Sequence, residues 1–116
     1  MVKVANHTKV DGNTPMMCKV QVAGWKVEVI LDSGSSISIV SKKFMESLGR
    51  RVEKQSERRI TGIHGEKRPS LGIVTQVPVK IGSVTVAVDT EVIDVSGYSL
   101  VLGTDWLKRA NVIIDY

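Results

Sequence analysis

One carboxylate of the sequence, Asp32, lies in a position that suits a reactive side chain. It directly follows the apolar run Val29–Leu31 and precedes a loop of small polar residues, Ser33–Ser36. The end of a buried strand is a costly place for a charge, and the hydroxyls and exposed amides of such a loop lower that cost by donating hydrogen bonds. Asp-Ser-Gly is also common in ordinary turns, where the aspartate bonds to nearby backbone. Taken alone, the tripeptide leaves a catalytic and a structural role open.

The other residue types that carry chemistry are sparse. The chain has one cysteine, Cys18, and two histidines, His7 and His64. A single cysteine cannot form a disulfide within the chain, and these scattered residues lack the spacing of a metal site. We therefore predict no metal, no cofactor and no disulfide, and the cysteine content suits a reducing compartment.

Length and composition describe the scaffold that must hold these residues. The chain has 116 residues, 42% of them hydrophobic, 24% charged and 4% aromatic, and its formal net charge is +4. This length suits one compact domain, whose thin margin for a core makes association with a partner subunit plausible. No stretch is apolar over the length of a bilayer, and the N-terminus lacks the apolar centre of a signal peptide. We predict no membrane partner and a cytoplasmic location.

Hydrophobic alternation, turn residues and helix caps predict a mostly β domain with two short helices. The predicted strands are Met16–Ala23, Lys26–Leu31, Ile37–Val40, Arg59–Ile63, Lys67–Val74, Val77–Ile81, Val84–Val95, Leu100–Leu102 and Val112–Tyr116. The predicted helices are Lys42–Leu48, with Ser41 as its N-cap and Gly49 at its end, and Thr104–Ala110. Gly24-Trp25 is predicted as a turn, and the charged segment Arg50–Arg59 as a solvated loop or strand edge.

Two motifs in this order resemble the retropepsins, the dimeric aspartic proteases of retroviruses and LTR retroelements. The first is Asp32-Ser33-Gly34-Ser35-Ser36, followed by Ile37–Val40 and a helix, and the second is Leu100–Leu107. The ending Val101–Leu107, with Asn111–Asp115 after it, is most similar to gypsy-type retroelement proteases and their domesticated relatives. The sequence does not separate these from the related domain of ubiquitin-shuttle proteins, although Thr104–Leu107 favours the retroelement proteases. The resemblance implies a closed retropepsin-like acid-protease barrel with one half-site per chain over residues 16–116, preceded by an N-terminal strand and linker over residues 1–15.

The resemblance also implies roles for individual residues. Asp32, Ser33 and Gly34 would form the catalytic motif, in which the Ser33 hydroxyl reaches the partner chain and the Gly34 carbonyl binds a substrate amide. The hairpin around Ile63 is similar to the retropepsin flap, a mobile lid, and has His64 where a glycine is usual. The substrate would be bound by Ser35, Ser36, Gly62, Ile63, His64 and Leu102.

The chemistry of such a site requires a second carboxylate. Two carboxylates share one proton, so that the ionised one takes a proton from water while the protonated one donates to the carbonyl oxygen. None of the other aspartates begins an Asp-Ser/Thr-Gly; these are Asp11, Asp89, Asp94, Asp105 and Asp115. The partner is therefore predicted to be Asp32 of another copy in a twofold homodimer. A hydroxyl at Ser35 is predicted to donate to Asp32, to lower its pKa and to make the pH optimum more acidic than in Ser35→Ala.

The sequence departs from the retroviral pattern at one ion pair. Retroviral enzymes often pair an acidic residue with an arginine at the positions of Ser36 and Thr104, and both are absent here. That route of stabilising the dimer is therefore in doubt. Trp106 and Leu107 are predicted to be helix core.

The two ends of the chain are predicted to contribute to dimerisation. The apolar strand Val112–Tyr116 is expected to interleave with N-terminal strands, to which Val2–Ala5 contributes, and His7–Pro15 is expected to be a linker. An exposed apolar strand at the end of a monomer would be an aggregation hazard.

The predicted function is a homodimeric aspartic endopeptidase that cleaves an extended peptide or polyprotein, in the cytoplasm or within a retroelement particle. One alternative is a catalytically inactive retropepsin-like dimerisation module, against which the intact Asp-Ser-Gly argues. Another is a nucleic-acid-binding barrel, suggested by the basic clusters Arg50–Lys54, Arg58-Arg59 and Lys67-Arg68. Such barrels usually have aromatic stacking platforms, which this chain lacks, so we predict no nucleic-acid partner.

Overall fold

The computed structural model describes residues 2–5 and 15–115. Its strands are β1 Val2–Ala5, β2 Met16–Val22, β3 Trp25–Leu31, β4 Ser38–Ser41, β5 Arg59–Thr61, β6 Lys67–Pro69, β7 Gly72–Ile81, β8 Val84–Ile93, β9 Leu100–Leu102 and β10 Val112–Asp115. Its helices are α1 Lys42–Ser47 and α2 Thr104–Arg109. The predicted linker His7–Pro15, apart from Pro15 itself, lies outside the described residues.

Six strands close into a barrel in the order β2-β3-β9-β4-β8-β7, and β7 returns to β2. The hairpin β5–β6 and the pair β1–β10 form separate two-stranded sheets. This architecture confirms the predicted mostly β, closed barrel with two short helices. No helix within the described ranges is long and apolar enough to cross a membrane.

The hairpin β2–β3 turns one residue earlier than predicted. Ala23 and Gly24 form the turn, with φ of 50° and 88°. Two consecutive residues with positive φ make the tight turn whose twist matches the twist of the flanking strands. Trp25 therefore already belongs to β3, where it pairs with Val22.

The prediction of one strand over Lys67–Val74 is wrong, because the strand is interrupted between Pro69 and Gly72. The φ of Gly72 is 136°, which disfavours any residue with a side chain. A Cβ at this position would contact the side chain of Val52 and lie 2.7 Å from the carbonyl oxygen of Lys54. The close approach of the loop that carries Val52 and Lys54, together with the positive φ of Gly72, interrupts the strand, so β6 ends at Pro69 and β7 begins at Gly72.

Strand β7 continues where the sequence predicted a gap between Val74 and Val77. The register with β8 shifts at this point. Gln76 adopts a φ of 53°, and its amide donates to Asp89 Oδ1 at 3.0 Å. A bulge of this kind bends a strand without ending it.

The segment Arg50–Arg59 leaves α1 as a loop that is fastened to the barrel, in agreement with the prediction of a loop or strand edge. Arg50 donates to the carbonyl of Thr75 at 2.6 Å. Lys54 forms an isolated antiparallel bridge with Ile73. The loop leads into β5 and so sets where the hairpin β5–β6 begins.

The apolar core divides into two clusters. The larger fills the barrel and includes Trp106, which is 0% exposed and whose indole N–H donates to the Val86 carbonyl at 3.0 Å. With Leu107 buried beside it, the predicted helix core is confirmed. We call the second group the cleft cluster; its members are Ile30, Ile39, Ile60, Ile93, Tyr98 and Val101, with Ile37, Ile63 and Val95 packed against them.

Helix α1 begins and ends close to the predicted residues. The Ser41 hydroxyl oxygen accepts from the amide of Phe44 at 3.1 Å, which makes it the predicted N-cap. Gly49 follows the last turn with a φ of 71°, the conformation that commonly ends a helix. The helix itself stops one residue short of the predicted Leu48, which is its C-cap.

The two ends of the described chain meet in one small sheet. Strands β1 and β10 run parallel, and Val2 pairs with Val112. Ile113 of this sheet is 48% exposed. The chain thus pairs its own terminal strands, and the predicted interleaving with a second copy stays a prediction.

Candidate active site

Asp32 lies at the junction of two parallel strands. Strand β3 runs beside β9, so that Leu31 pairs with Leu102. The next amide, that of Asp32, donates to the carbonyl of Leu102 at 3.0 Å. The loop is held on its other side, where the amide of Thr104 donates to the carbonyl of Ser35 at 2.8 Å. Both ends of the Asp32 loop are therefore bound to residues 102–104, where β9 ends and α2 begins.

The loop itself is a tight turn around the aspartate. The amide of Gly34 donates to Asp32 Oδ1 at 2.9 Å, and the amide of Ser35 donates to the Asp32 carbonyl at 3.1 Å. Asp32 and Ser33 are half-buried, while Gly34 and Ser36 are exposed. The motif predicted to be catalytic is therefore also an Asx turn, whose hydrogen bonds hold the Asp32 carboxylate in place.

The Ser35 hydroxyl does not point to the aspartate, contrary to prediction. It donates to the carbonyl oxygen of Ile37 at 2.7 Å. A hydroxyl has one proton to donate, so a hydrogen bond from Ser35 to the Asp32 carboxylate is absent in this chain. The predicted acidic shift of the pH optimum therefore loses the contact on which it depended.

Behind the loop lies a network that the sequence reasoning missed. Asp105, at the start of α2, accepts from the amide and from the hydroxyl of Ser38, at 3.1 and 2.7 Å. The Ser38 hydroxyl accepts in turn from the amide of Gly103 at 3.1 Å. These bonds join β4 to α2 across 67 positions of the chain. The only sequence signal was an aspartate in the first turn of a helix, which is also an ordinary feature of helices.

Gly103 packs tightly against the backbone of residues 35 and 37. A Cβ there would lie 2.6 Å from the carbonyl oxygen of Ser35 and 2.5 Å from that of Ile37. Real Cβ atoms do not approach backbone oxygens so closely. The glycine is therefore what allows the strand end of β9 to pack directly against the Asp32 loop.

We expect Asp105→Ala to lower the free energy of unfolding by about 2 to 3 kcal/mol, because it leaves the buried amide and hydroxyl of Ser38 without their acceptor. Asp105→Asn keeps one acceptor oxygen, so its free energy of unfolding should lie between those of the parent protein and Asp105→Ala. Urea denaturation measures both. Asp94→Asn, at an exposed aspartate outside the network, is the control. Equal stability of Asp105→Ala and this control would contradict the structural role.

The hairpin β5–β6 carries the predicted flap tip. The amide of Gly62 donates to the Glu66 carbonyl at 2.8 Å, and the amide of Gly65 donates back to Gly62 at 3.0 Å. Ile63 and His64 occupy the centre of this turn. Gly62 is buried, and a Cβ on it would contact the Glu66 carboxylate and the Tyr98 hydroxyl.

The hairpin tip rests on Tyr98 of the loop between β8 and β9. The Tyr98 hydroxyl donates to Glu66 Oε1 at 3.1 Å, and the amide of His64 donates to Glu66 Oε2 at 3.0 Å. The Tyr98 and His64 rings lie 6.2 Å apart. Burial, followed by the bond to Glu66, raises the pKa of Tyr98 to about 12, and the hydrogen bonds lower the pKa of Glu66 despite its desolvation. His64 is exposed and takes part in this contact through its backbone and ring.

The raised pKa of Tyr98 gives a pH-dependent expectation. The folded state holds the neutral phenol, so the stability that it contributes is complete below pH 10 and is lost as the pH rises towards about 12. Ultraviolet titration should show one late-ionising tyrosine, which Tyr98→Phe removes and Tyr116→Phe retains. Loss of the late component in Tyr116→Phe instead would contradict this assignment.

The structure brings together some of the residues predicted to bind substrate and leaves others apart. Ser35 and the start of the hairpin β5–β6 border one cavity of about 250 Å³, whose lining residues are Ser35, Ile37, Ile39, Arg58, Arg59, Ile60 and Thr61. Ile63 packs against the cleft cluster. Leu102, in contrast, is 0% exposed. Its carbonyl positions Asp32, and its side chain has no surface that a substrate reaches.

Metal ligands are not grouped in the described part of the chain. Among residues 2–5 and 15–115, no three side chains of His, Cys, Asp or Glu are placed to hold an ion. Cys18 is half-buried, and burial raises the pKa of its thiol, which makes the thiolate scarcer at neutral pH.

Curated relatives share this stretch of sequence. The chain is 35% identical over 113 residues to DNA damage-inducible protein 1 of Neurospora crassa, covering 95% of this chain and 25% of that protein. It is 30% identical over 115 residues to the UBA domain-containing protein Mud1 of Schizosaccharomyces pombe, covering 97% of this chain and 34% of Mud1. The chain thus spans about a quarter to a third of the length of these relatives.

Solved structures share the fold. The retroviral protease-like domain of Ddi1 from Leishmania major superposes with a TM-score of 0.62 at 25% identity, over 83% of this chain and 77% of that domain. The EIAV protease in its complex with the inhibitor HBY-793 superposes with a TM-score of 0.68 at 19% identity, over 90% and 96%. A retropepsin-like aspartic protease from Rickettsia conorii gives 0.59 at 20% identity, over 85% and 74%.

The sequence profile of one protein family covers most of the chain. It matches residues 18–109, which include the Asp32 loop, the hairpin and the Gly103 segment. The retropepsin-like fold and this match agree with the resemblance drawn from the two motifs. The chain belongs to the family described as gag-polyprotein putative aspartyl protease.

Proposed function

We propose that the protein is a homodimeric aspartic endopeptidase in which two Asp32 carboxylates activate one water. The observation that carries this proposal is the placement of Asp32. A half-buried carboxylate is bound by its backbone to β9 and by Gly34 within its own loop. Ser35 of the same loop lines a cavity that is bordered on its other side by β5 of the hairpin. This is a fixed carboxylate with access to a peptide, as the reaction requires.

The proposed reaction needs only the carboxylate pair and water. One carboxylate is ionised and takes a proton from the water as its oxygen attacks the peptide carbonyl carbon. The other is protonated and donates to the carbonyl oxygen. The carboxyl that took the proton from water passes it to the amide nitrogen as the carbon–nitrogen bond breaks. The other carboxylate takes back the proton that it gave to the carbonyl oxygen as the carbon–oxygen double bond reforms, so the pair returns to its singly protonated state. No covalent intermediate with the protein is formed.

The remaining roles are assigned by the family resemblance and by the contacts around the loop. Ser33 would link the two Asp32 loops across the axis, and the exposed Gly34 would offer its carbonyl to a substrate amide. The backbone amide of Ile63, at the tip of the hairpin, would contact the substrate. Ser36, exposed next to this loop, would contact the substrate at the rim.

A dimer is supported by the terminal sheet. Strands β1 and β10 form a two-stranded sheet outside the barrel, and Ile113 on β10 is 48% exposed. Such a short sheet with open edges gains stability by pairing with further strands. A second copy, which must approach to supply the second carboxylate, is the natural source of those strands.

The experiment combines activity with association. Purified protein is incubated with a diverse peptide library at mildly acidic pH, and new termini are identified by mass spectrometry. Specific activity should rise with protein concentration over the range in which sedimentation shows dimer formation. Cleavage that is independent of concentration, by a species that sediments as a monomer, would contradict the shared site.

The alternative of a dimerisation module has a distinct outcome in the same experiment. A dimer that cleaves no peptide of the library would leave association as the function of this fold. We also propose that the substrates are peptides or polyproteins. The sequences that are cleaved identify these substrates and, through them, the compartment in which the protein acts.

A further inference from the structure

Tyr98 joins the tip of the hairpin β5–β6 to the loop between β8 and β9. The hairpin is a two-stranded sheet separate from the barrel, and a sheet of this size is only marginally stable by itself. Within the described ranges, residues 61–67 form one hydrogen bond outside the hairpin, which the Tyr98 hydroxyl donates to Glu66 Oε1 at 3.1 Å. The position of the tip therefore depends on this bond and on the packing of Ile63 against the cleft cluster.

The base of the hairpin is held by a different residue. Glu91, buried on β8, accepts from the Ser56 hydroxyl through Oε1 at 2.6 Å, and its Oε2 lies 3.8 Å from Arg58 Nε. Ser56 and Arg58 precede β5. These contacts fix where the hairpin begins, and they leave the position of its tip to other contacts.

The Tyr98 hydroxyl is presented by a part of the chain that the barrel holds in place. Tyr98 is 8% exposed, and its ring belongs to the cleft cluster. The carbonyl of the next residue, Ser99, accepts from the amide of Ser41 at 2.9 Å, and β9 begins at Leu100. The raised pKa of Tyr98, about 12 through burial and then the bond to Glu66, keeps the phenol protonated, so it remains a donor at acidic and neutral pH.

The Glu66 carboxylate links Tyr98 to the backbone of the turn. Its second oxygen, Oε2, accepts from the amide of His64 at 3.0 Å. The amides of Gly62 and Gly65 are bonded to carbonyls within the turn. In the part of the chain that the structure describes, the amide of Ile63 is the one amide of residues 62–65 without a hydrogen bond. A bound peptide could therefore accept from this amide without breaking the turn.

We propose that Tyr98 is a positioning residue of the peptidase, which acts through Glu66 to hold the turn so that the Ile63 amide meets the peptide. This inference rests on the proposed function and names a residue that serves the same site through another residue. A tip that is already held loses less conformational freedom when the peptide binds, so the peptide binds more tightly. The bond thus contributes to peptide binding and not to the chemistry at Asp32.

Tyr98→Phe removes the hydroxyl and keeps the ring in the cleft cluster. The KM of a cleaved peptide should rise about fivefold, the size expected for one lost hydrogen bond, while kcat stays nearly the same. A contact that is equally strong in the bound peptide and in the transition state gives this split. Loss of folded protein would instead lower kcat and leave KM unchanged. A fall in KM would show that the peptide must first break the bond, and would overturn the proposal.

Glu66→Ala tests the same bond from the hairpin side. It removes the acceptor of both Tyr98 and the His64 amide, so KM should rise at least as much as in Tyr98→Phe. Adding Tyr98→Phe to this variant should then have no further effect on KM. Effects that multiply in the double variant would show that the two residues act separately, and would contradict the proposal. Glu57→Ala, at an exposed glutamate before the hairpin, is the matched control and should keep the parent KM.

Hydrogen–deuterium exchange separates this inference from the proposed function. In the protein without peptide, fragments that cover residues 61–67 should exchange faster in Tyr98→Phe than in the parent and in Glu57→Ala. Faster exchange, with no peptide cleaved by the parent, would overturn the peptidase and support the hold of Tyr98 on the tip. Cleavage by the parent, with the same KM in Tyr98→Phe, would overturn the inference alone. Unchanged exchange and absence of cleavage together would overturn both.

Discussion

Asp32→Asn is expected to lower kcat/KM for peptide cleavage by at least about a thousandfold, because each dimer loses both the general base and the general acid. The fold should be retained. The asparagine oxygen can still accept from the amide of Gly34, as Asp32 Oδ1 does at 2.9 Å. Cleavage of one defined peptide, followed by mass spectrometry, measures the loss, and circular dichroism verifies the fold.

Mixing the parent protein with the Asp32→Asn variant tests this prediction in a second way. In an equimolar mixture of parent and Asp32→Asn protein after full subunit exchange, only about a quarter of the dimers carry two aspartates. The parent protein should therefore lose activity when the inactive variant is added. Undiminished activity in the exchanged mixture would show that one chain suffices. Glu46→Gln, an acid-to-amide change on the exposed face of α1, is the control and should leave activity unchanged.

Gly103→Ala is expected to lower the free energy of unfolding by about 3 kcal/mol or more. A Cβ there would lie 2.5 and 2.6 Å from two backbone carbonyl oxygens, and backbone cannot yield as a flexible side chain does. The added methyl must push the Asp32 loop away from β9, so we expect peptide cleavage to fall with stability. Thermal and urea denaturation measure the first effect and the peptide assay measures the second.

Gly49→Ala is the matched control for this substitution. Gly49 has a φ of 71° and nothing within 4 Å of the added Cβ, so the cost is backbone strain alone, about 1 kcal/mol. Gly103, in contrast, has an ordinary extended backbone with a φ of −93°. Gly103→Ala should therefore be the more destabilising of the two. The reverse order would show that conformation, not close packing, makes Gly103 necessary.

Local patterns in the sequence were enough to predict most elements of this fold. The alternation of β2 and β3, the Ser41 cap of α1 and the buried Trp106 of α2 each follow from interactions within a few residues. Closure into a barrel came from the resemblance of two motifs to a known family, since local periodicity does not state which strands pair. The errors in β6 and β7 arose where long-range contact decides, at Gly72 against Val52 and at Gln76 against Asp89.

The candidate site divides in the same way. The sequence by itself identified Asp32 in its Gly/Ser loop and the glycine-flanked hairpin tip, because both depend on residue type and close spacing. The direction of the Ser35 hydroxyl, the burial of Leu102 and the bonds from Ser38 to Asp105 were decided by packing between distant segments. Hydrogen bonds between residues 67 positions apart leave no local pattern, and only the closed barrel brings such partners together.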